Sequence, residues 1–437
     1  MAHDDLDVLP RRPDLTEVVG DGTLPNHYGD SELLARYERL GGDLDALIYL
    51  SLGETWTRAA PALVAELAHV PSHSHGYVLT PYGLPALQQV LRTYVGQDHR
   101  LGAFAPGEDY EVAVAQNSTR SPMFDFGRLL LEDADGGDPV LFFPHPGWDY
   151  PGVFGGLGYR MHHYAVTAER GWEPDVAAVR EALSSVPGSP KLLVLNPQHN
   201  PTGANWSEAT VRGLVRAAVE TGAAVLLDDA FYGMVDPQVT ATSGLRIVLE
   251  EMTTCSGRWL AVRSLGKQFH CNGWGIGAVT GHPDTMRRMA THFLHHHAFV
   301  SAVPLQAAMA AWLGSPQSRA YLAESTARYA AARRHIAERL RADLGQPLDF
   351  VGDCTPYLRL RVPPAYERCG DAEQRYRWDG TRRAGVLLGA GGMYDPGDSG
   401  REPHAHVRFY LGHPRPLLDE AVDRLAAAGL GWAAQPS

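Results

Sequence analysis

Trp259-Leu260-Ala261-Val262-Arg263-Ser264-Leu265-Gly266-Lys267, with Gly273-Trp274-Gly275-Ile276-Gly277-Ala278-Val279-Thr280 just behind it, is the stretch on which the fold turns. Two apolar runs, 259–262 and 276–280, read as strands, and between them lie a Ser-x-x-Lys turn and a glycine-dense tail. Continuous apolar strands, as opposed to alternating ones, belong to a sheet covered on both faces. The same pattern recurs upstream at 112–115, 139–143, 192–195 and 223–227. Helical segments separate these runs. One opens near Ser207 and places Val211, Leu214, Val215 and Ala218 on one face; an earlier one steps through Leu84, Leu87, Leu91 and Tyr94. Asn117-Ser118-Thr119 follows the first of the strands as a helix N-cap cluster. Together these describe an α/β fold with a mainly parallel sheet, of a seven-stranded type, in a large domain.

Beyond about residue 310 the pattern changes. Residues 319–344 form a long Ala/Arg/Glu-rich amphipathic helix, and 357–362 alternate apolar and charged residues like a half-exposed antiparallel strand. Further strands are expected at 385–388 and 406–411, with a final helix over 417–428. The expected organisation is an N-terminal arm and part of a small domain over 1–75, a large domain over 76–310, and a C-terminal small α+β domain over 311–437. Ile48 to Gly53 reads as a strand ending in a turn, 76–84 as a loop, and the Pro-rich first 30 residues as an irregular arm.

Composition narrows the function. The 437 residues carry 38 basic and 50 acidic side chains, a net charge of −12, which argues against a nucleic-acid-binding surface. The four cysteines, Cys255, Cys271, Cys354 and Cys369, have no metal-site or disulfide spacing and suit a reducing compartment. The acidic N-terminus does not look like a signal peptide, and no apolar run reaches the roughly 18 residues of a membrane span. A cytoplasmic protein is expected.

Three motifs in fixed order carry the chemistry. His199-Asn200-Pro201-Thr202-Gly203 comes first, Asp228 ends an apolar strand 28 residues after Asn200, and Ser264-x-x-Lys267 follows. A carboxylate at the end of a buried strand lies where such sheets present ligands. With Gly385-Val386, Gly391, Tyr394 and Arg408 closing the chain, the sequence resembles the class I/II aminotransferase family, the fold-type-I enzymes dependent on pyridoxal 5'-phosphate (PLP). The resemblance spans nearly the whole length. It implies a Schiff base between Lys267 and PLP, with the same lysine later moving the Cα proton of an amino-acid substrate. Asp228 would face the pyridine nitrogen, although Asp229 is its neighbour and competitor for the role. Asn200 would bond the phenolic oxygen, Trp148 would stack on the ring, and Ser118, Thr119 and Ser264 would bind the phosphate. Arg408 would clamp the substrate α-carboxylate. Tyr77 or Tyr82 would reach a neighbouring cofactor across a homodimer interface.

Two positions depart from the family pattern. Gly275, eight residues after Lys267, stands where a phosphate-binding arginine is usual, and Arg120, Arg263 and His270 are the candidate substitutes. Phe231 stands where a tyrosine commonly donates to the phenolic oxygen, and the adjacent Tyr232 should point to the opposite side. Asn117 occupies a place where glycine is frequent. These departures keep other outcomes of the same cofactor in view: γ-elimination or cyclisation of S-adenosylmethionine or a related amino acid, oxidation with oxygen, or a non-catalytic sensor. The substrate pocket is expected from residues 48–56, 77–82, 293–302 and 392–398, without an obvious carboxylate-recognising arginine. His292, His295, His296 and His297 share part of a helix face, a pattern read as a polar helix end in preference to a metal site.

Overall fold

The computed structural model describes residues 29–52, 58–134, 137–252, 257–297, 300–368, 371–393 and 402–436, the side chains of residues 116 and 293–297 excepted. Its strands are β1 Ile48–Leu50, β2 Glu111–Gln116, β3 Val140–His145, β4 Arg160–Thr167, β5 Glu173–Pro174, β6 Lys191–Leu195, β7 Ala224–Asp228, β8 Trp259–Ser264, β9 Ile276–Gly281, β10 Tyr357–Arg361, β11 Val386–Ala390 and β12 His406–Tyr410. Eight of them form one sheet in the order β2-β9-β8-β7-β6-β3-β4-β5. Strands β8, β7, β6, β3 and β4 run parallel, while β9 is antiparallel to both β8 and β2.

Burial explains why these segments are strands. Every residue of β3, β7, β8 and β9 is buried. One apolar cluster covers one face of the sheet through Leu87, Leu91, Val225 and Leu227, and a second covers the other through Phe126, Leu141, Leu226 and Val262. Neighbouring residues of β7 thus go to opposite clusters, as the period of two requires. The sheet has eight strands instead of the expected seven, because β4 and the two-residue β5 extend the edge beyond the six apolar runs. Arg160-Met161-His162-His163-Tyr164 lacks an apolar run because it is only half covered, so its sequence does not announce a strand.

Strands β1, β11, β12 and β10 form a second, four-stranded sheet, with β1 parallel to β11 and the other pairs antiparallel. It packs on the 29-residue helix Pro316–Leu344 and the helix Arg415–Ala427, around Ile336, Leu340, Leu360, Phe409 and Leu425. One expectation fails here. Strand β10 is buried from Tyr357 to Leu360, not half exposed. Arg359 is tolerated inside because Glu402 pairs with its guanidinium and the Gly391 carbonyl accepts from its Nε at 3.0 Å. A buried charge is stable only with such partners.

The loop before the helix Pro85–Asp98 is fixed by Gly83, whose φ is +89° and whose absent Cβ would lie 2.4 Å from Val114 Cγ2. The Val114 amide also donates to the Tyr82 carbonyl at 3.0 Å, so the loop cannot withdraw from β2. Gly83→Ala adds left-handed strain of about 1–2 kcal/mol and overpacking of about 1–3 kcal/mol. Urea unfolding should show a loss of at least about 2 kcal/mol; a loss within about 0.5 kcal/mol would contradict this reading of the loop.

Candidate active site

The carboxyl ends of β3, β6, β7 and β8 lie on one edge of the large sheet, and β2 ends there too, because both β2 and β8 are antiparallel to β9. That edge collects His145 to Trp148, Asn196 to Asn200, Asp228, Ser264 to Lys267, and Asn117 to Arg120. Open α/β sheets bind ligands at this edge.

Asp228 is its centre. The carboxylate is buried; Oδ2 accepts from the Tyr150 hydroxyl at 2.8 Å and Oδ1 from the Ala230 amide at 3.1 Å. Burial raises its pKa, and Tyr150, Ala230 and the charge of Lys267 oppose that rise. Lys267 lies in the short helix Leu265–Phe269, whose N-cap Ser264 accepts the Lys267 amide on Oγ at 3.3 Å. Its Nζ sits 4.8 Å from the centre of the Phe231 ring, a cation–π distance.

Asn200 is held from both sides. Its amide nitrogen on the main chain donates to Asn196 Oδ1 at 2.8 Å, and Asn196 Nδ2 donates to the Asp228 carbonyl at 2.6 Å. Its side-chain Oδ1 accepts from Arg408 Nη1 at 3.0 Å, joining the edge of the large sheet to β12 of the small one. Arg408 is 3% exposed, donates Nε to the Ala390 carbonyl at 2.7 Å, and lies over the Tyr357 ring at 4.6 Å. With Asp30, Ser51, Leu52, Gly392 and Met393 it lines a small cavity. A guanidinium with two donors spent still has three to offer a carboxylate.

Asp229 turns to the other face. It stands 4.0 Å from His99 Nε2, and neither carboxylate oxygen has a hydrogen-bond partner. Burial raises its pKa to about 7, with Arg263 opposing and Asp228 adding to the rise. Tyr232 goes the same way, stacked on His99 at 3.8 Å and donating to the Asp98 carbonyl at 3.0 Å. Asp228, and not Asp229, therefore shares a compartment with Lys267.

The opposite end of the site holds Ser118, half-buried, and Thr119, buried, before the helix Arg120–Glu132. The expected cap is different from what forms. Thr119 is the N-cap residue but makes no side-chain capping bond, and Asn117 and Ser118 are both left-handed, with φ of +57° and +64°. The Ser118 amide donates to the Gly275 carbonyl at 2.7 Å, which locks this turn to the glycine tail. Left-handed backbone at 117 is the physical reason a glycine would suit that position. Trp148 is half-buried, edge-on to Tyr150 at 5.4 Å, with the Arg120 guanidinium 4.3 Å from its ring centre. Tyr77 is 83% exposed, whereas Tyr82 packs against the core beneath the sheet. Tyr394 and residues 394–401 lie outside the described residues, as do residues 53–56 of the expected pocket. Of the histidine cluster, His292 bonds Glu132 Oε2 at 2.8 Å, and the side chains of His295, His296 and His297 lie outside the described residues. Among the described residues no group of His, Cys, Asp or Glu could hold a metal ion.

Residues 124–425 match the family model for aminotransferase class I and II. The chain belongs to that family. The aminotransferase is 27% identical over 402 residues to an LL-diaminopimelate aminotransferase of Gloeobacter violaceus, covering 88% of this chain and 91% of that one. It is 25% identical over 408 residues to the glutamate-pyruvate aminotransferase AlaC of Escherichia coli, covering 91% and 89%. With the aspartate/prephenate aminotransferase of Thermus thermophilus it shares 24% identity over 263 residues, 60% of this chain and 63% of that one. Among solved structures, a double mutant of the Thermus thermophilus aspartate aminotransferase superposes with a TM-score of 0.74 at 22% identity over 94% of this chain and 98% of that one. Substrate-bound BacF from Bacillus subtilis gives 0.73 at 20% identity over 99% of both. These structural likenesses establish the fold-type-I aminotransferase fold, and the cofactor of the family is pyridoxal 5'-phosphate.

The donor set fits that cofactor at its ring end. A pyridine nitrogen needs a buried anion, which Asp228 is, and the aldehyde needs an amine, which Lys267 offers beside it. Because Arg408 occupies Asn200 Oδ1, the amide nitrogen is the end left to donate to a phenolic oxygen. One residue of the aminotransferase escapes motif reading. Tyr150 donates to Asp228 from 78 positions away, with nothing in its own sequence to mark it. Lysine scarcity would have found Lys267 sooner: the chain has only two lysines, and the other, Lys191, donates to the Leu183 carbonyl at the start of β6.

The raised pKa of Asp229 has a sign that can be checked. Stability tied to its protonated form is complete below its ordinary value of 3.8 and is lost as pH rises through about 7. Between pH 5 and pH 8 the cofactor-free protein should lose on the order of 2 kcal/mol that Asp229→Asn does not lose. Parallel pH profiles of the two proteins in urea unfolding would refute the assignment.

Proposed function

We propose that this aminotransferase moves the amino group of an α-amino acid with a neutral side chain, using Lys267, Asp228, Asn200 and Arg408 as its reacting set. The observation that carries this reading is the Arg408–Asn200 bond at 3.0 Å, which sets a carboxylate clamp beside the amide of the cofactor site. When bound, PLP supplies an electron sink that makes the Cα–H bond of the substrate acidic.

The residues divide the remaining work. Arg408 binds the α-carboxylate with the donors not spent on Ala390 and Asn200, and this fixes the substrate Cα. Lys267 would hold the cofactor through Nζ and, when free of it, would be the base that carries the substrate Cα proton. Phe231 sets an apolar ring 4.8 Å from Nζ, where the family commonly has a tyrosine. Asp228 would face the pyridine nitrogen, with Tyr150 and the Ala230 amide donating to its carboxylate against the rise that burial imposes on its pKa. Ser118, Thr119 and Ser264 offer hydroxyls to the phosphate, and Trp148 a face to the ring.

Side-chain preference follows from charge. Among the described residues, the other arginines near Arg408 are committed: Arg359 pairs with Glu402, and Arg377 with Asp30. Among the described residues, no second cation is left there for a side-chain carboxylate. The exposed Tyr77 and Leu79, 83% and 72% accessible on the segment before Gly83, support a homodimer in which Tyr77, not Tyr82, reaches the neighbouring site. The buried Cys271 and Cys354, neither in a disulfide, agree with a cytoplasmic setting. No helix among the described residues is long and apolar enough to cross a membrane.

The test is the half-reaction of holoenzyme with single amino acids, followed by absorbance and by mass spectrometry of the products. Neutral donors should give their 2-oxo acids, and aspartate and glutamate should react more slowly. Fastest reaction with a dicarboxylic donor would overturn the side-chain assignment, and methylthioadenosine from S-adenosylmethionine or oxygen uptake would overturn transamination. Arg408→Gln should raise KM for the donor by about 10–100-fold, the loss of a charged hydrogen-bond pair.

A further inference from the structure

The phosphate end of the site raises a question that the ring end does not. A phosphate dianion needs a cation, and position 275 provides none. Gly275 has a φ of +63°, and an added Cβ there would lie 3.5 Å from Asn117 Cα, so a side chain at 275 would emerge against the 117–118 turn. The cation should therefore come from that turn or from what adjoins it.

Of the three nearby candidates, two are engaged elsewhere. Arg263 is buried on the opposite face from Ser264, bonded through Nη2 to Asp98 Oδ2 at 2.6 Å and to the Tyr94 hydroxyl at 3.2 Å. His270 lies between the Tyr321 and Tyr329 hydroxyls at 2.6 and 2.7 Å, against the long helix Pro316–Leu344. Arg120 remains. It directly follows Ser118 and Thr119, and its guanidinium covers Trp148. Its ion pair with Asp149, Nη2 to Oδ2 at 3.0 Å, leaves Nε and Nη1 to donate. Asp149 keeps its own second role meanwhile, capping the helix Tyr150–Phe154 by accepting from the Gly152 amide at 3.0 Å. The Arg120 side chain is 43% exposed, so it is not locked in place as Arg263 is.

We propose that Arg120 supplies the cationic contact to the cofactor phosphate, in place of a side chain at position 275, with Asp149 and Trp148 orienting its guanidinium. The proposal rests on the PLP reading of the site.

The experiment is a titration of cofactor-freed protein with PLP and, separately, with pyridoxal, which has the ring and aldehyde but no phosphate, both followed by absorbance. Arg120→Met should weaken PLP binding by about 10–100-fold and leave pyridoxal binding unchanged. Arg120→Lys should fall between, because a lysine keeps the charge but not the fork. Unchanged PLP affinity in Arg120→Met would overturn the proposal. Equal weakening of PLP and pyridoxal would overturn it too, since it would mean that Arg120 acts only by packing on Trp148. Wild-type protein that binds neither compound would refute the cofactor reading itself, and the role of Arg120 with it.

Discussion

A carboxylate buried at the end of β7 is the constraint on which the rest of the site depends. Asp228 is 5% exposed, and an ion withdrawn from water is tolerated only when donors and an opposite charge compensate it. The compensation comes from three elements: the Tyr150 hydroxyl after β3, the Ala230 amide at the turn out of β7, and the field of Lys267 after β8. Parallel pairing of β3, β6, β7 and β8 brings these elements to a common edge, and the apolar layers on both faces hold that edge still. The adjacent Asp229 shows the alternative. It has the same residue type and the same burial but no hydrogen-bond donor, and its pKa climbs to about 7. One peptide unit separates a carboxylate whose donors oppose the effect of burial from one with no donor to do so.

The second organising contact crosses between the sheets. Asn200 is anchored by Asn196, which also holds the Asp228 carbonyl, and it passes its own Oδ1 to Arg408. Arg408, the proposed substrate clamp, is thus mechanically linked to the strand that carries Asp228. Because Arg408 is also bonded to the Ala390 carbonyl, its guanidinium plane is set before any substrate arrives. Such preorganisation lowers the entropy lost on binding. The ring end of the site is rigid and complete in this sense. The phosphate end is built differently, from two left-handed residues, a left-handed glycine and a half-exposed arginine.

Much of this was legible in the sequence, for identifiable reasons. Strands β3, β6, β7, β8 and β9 are buried on both faces and so appear as unbroken apolar runs, and Ser207 caps its helix as its position suggests. Asn200, Asp228, Lys267 and Arg408 are legible because their order and spacing carry the family resemblance. What sequence missed depends on contacts between distant residues. Strand β4 is half covered and hides among polar residues; β10 alternates like an exposed strand but is closed over by the pairing of Arg359 with Glu402. Tyr150 has no local mark, since its role exists only once β3 and β7 are neighbours of β6. The choice among Arg120, Arg263 and His270 likewise needed the direction of each side chain, which alternation along β8 decides for Arg263 and the two tyrosines decide for His270.

The central claim is that Lys267 is the residue to which PLP is joined, and the two-lysine composition makes it directly measurable. Holoenzyme reduced with borohydride, digested and sequenced by mass spectrometry should carry the phosphopyridoxyl group on Lys267 alone, with Lys191 unmodified as an internal control. Label on Lys191, or none on either lysine, would contradict the account.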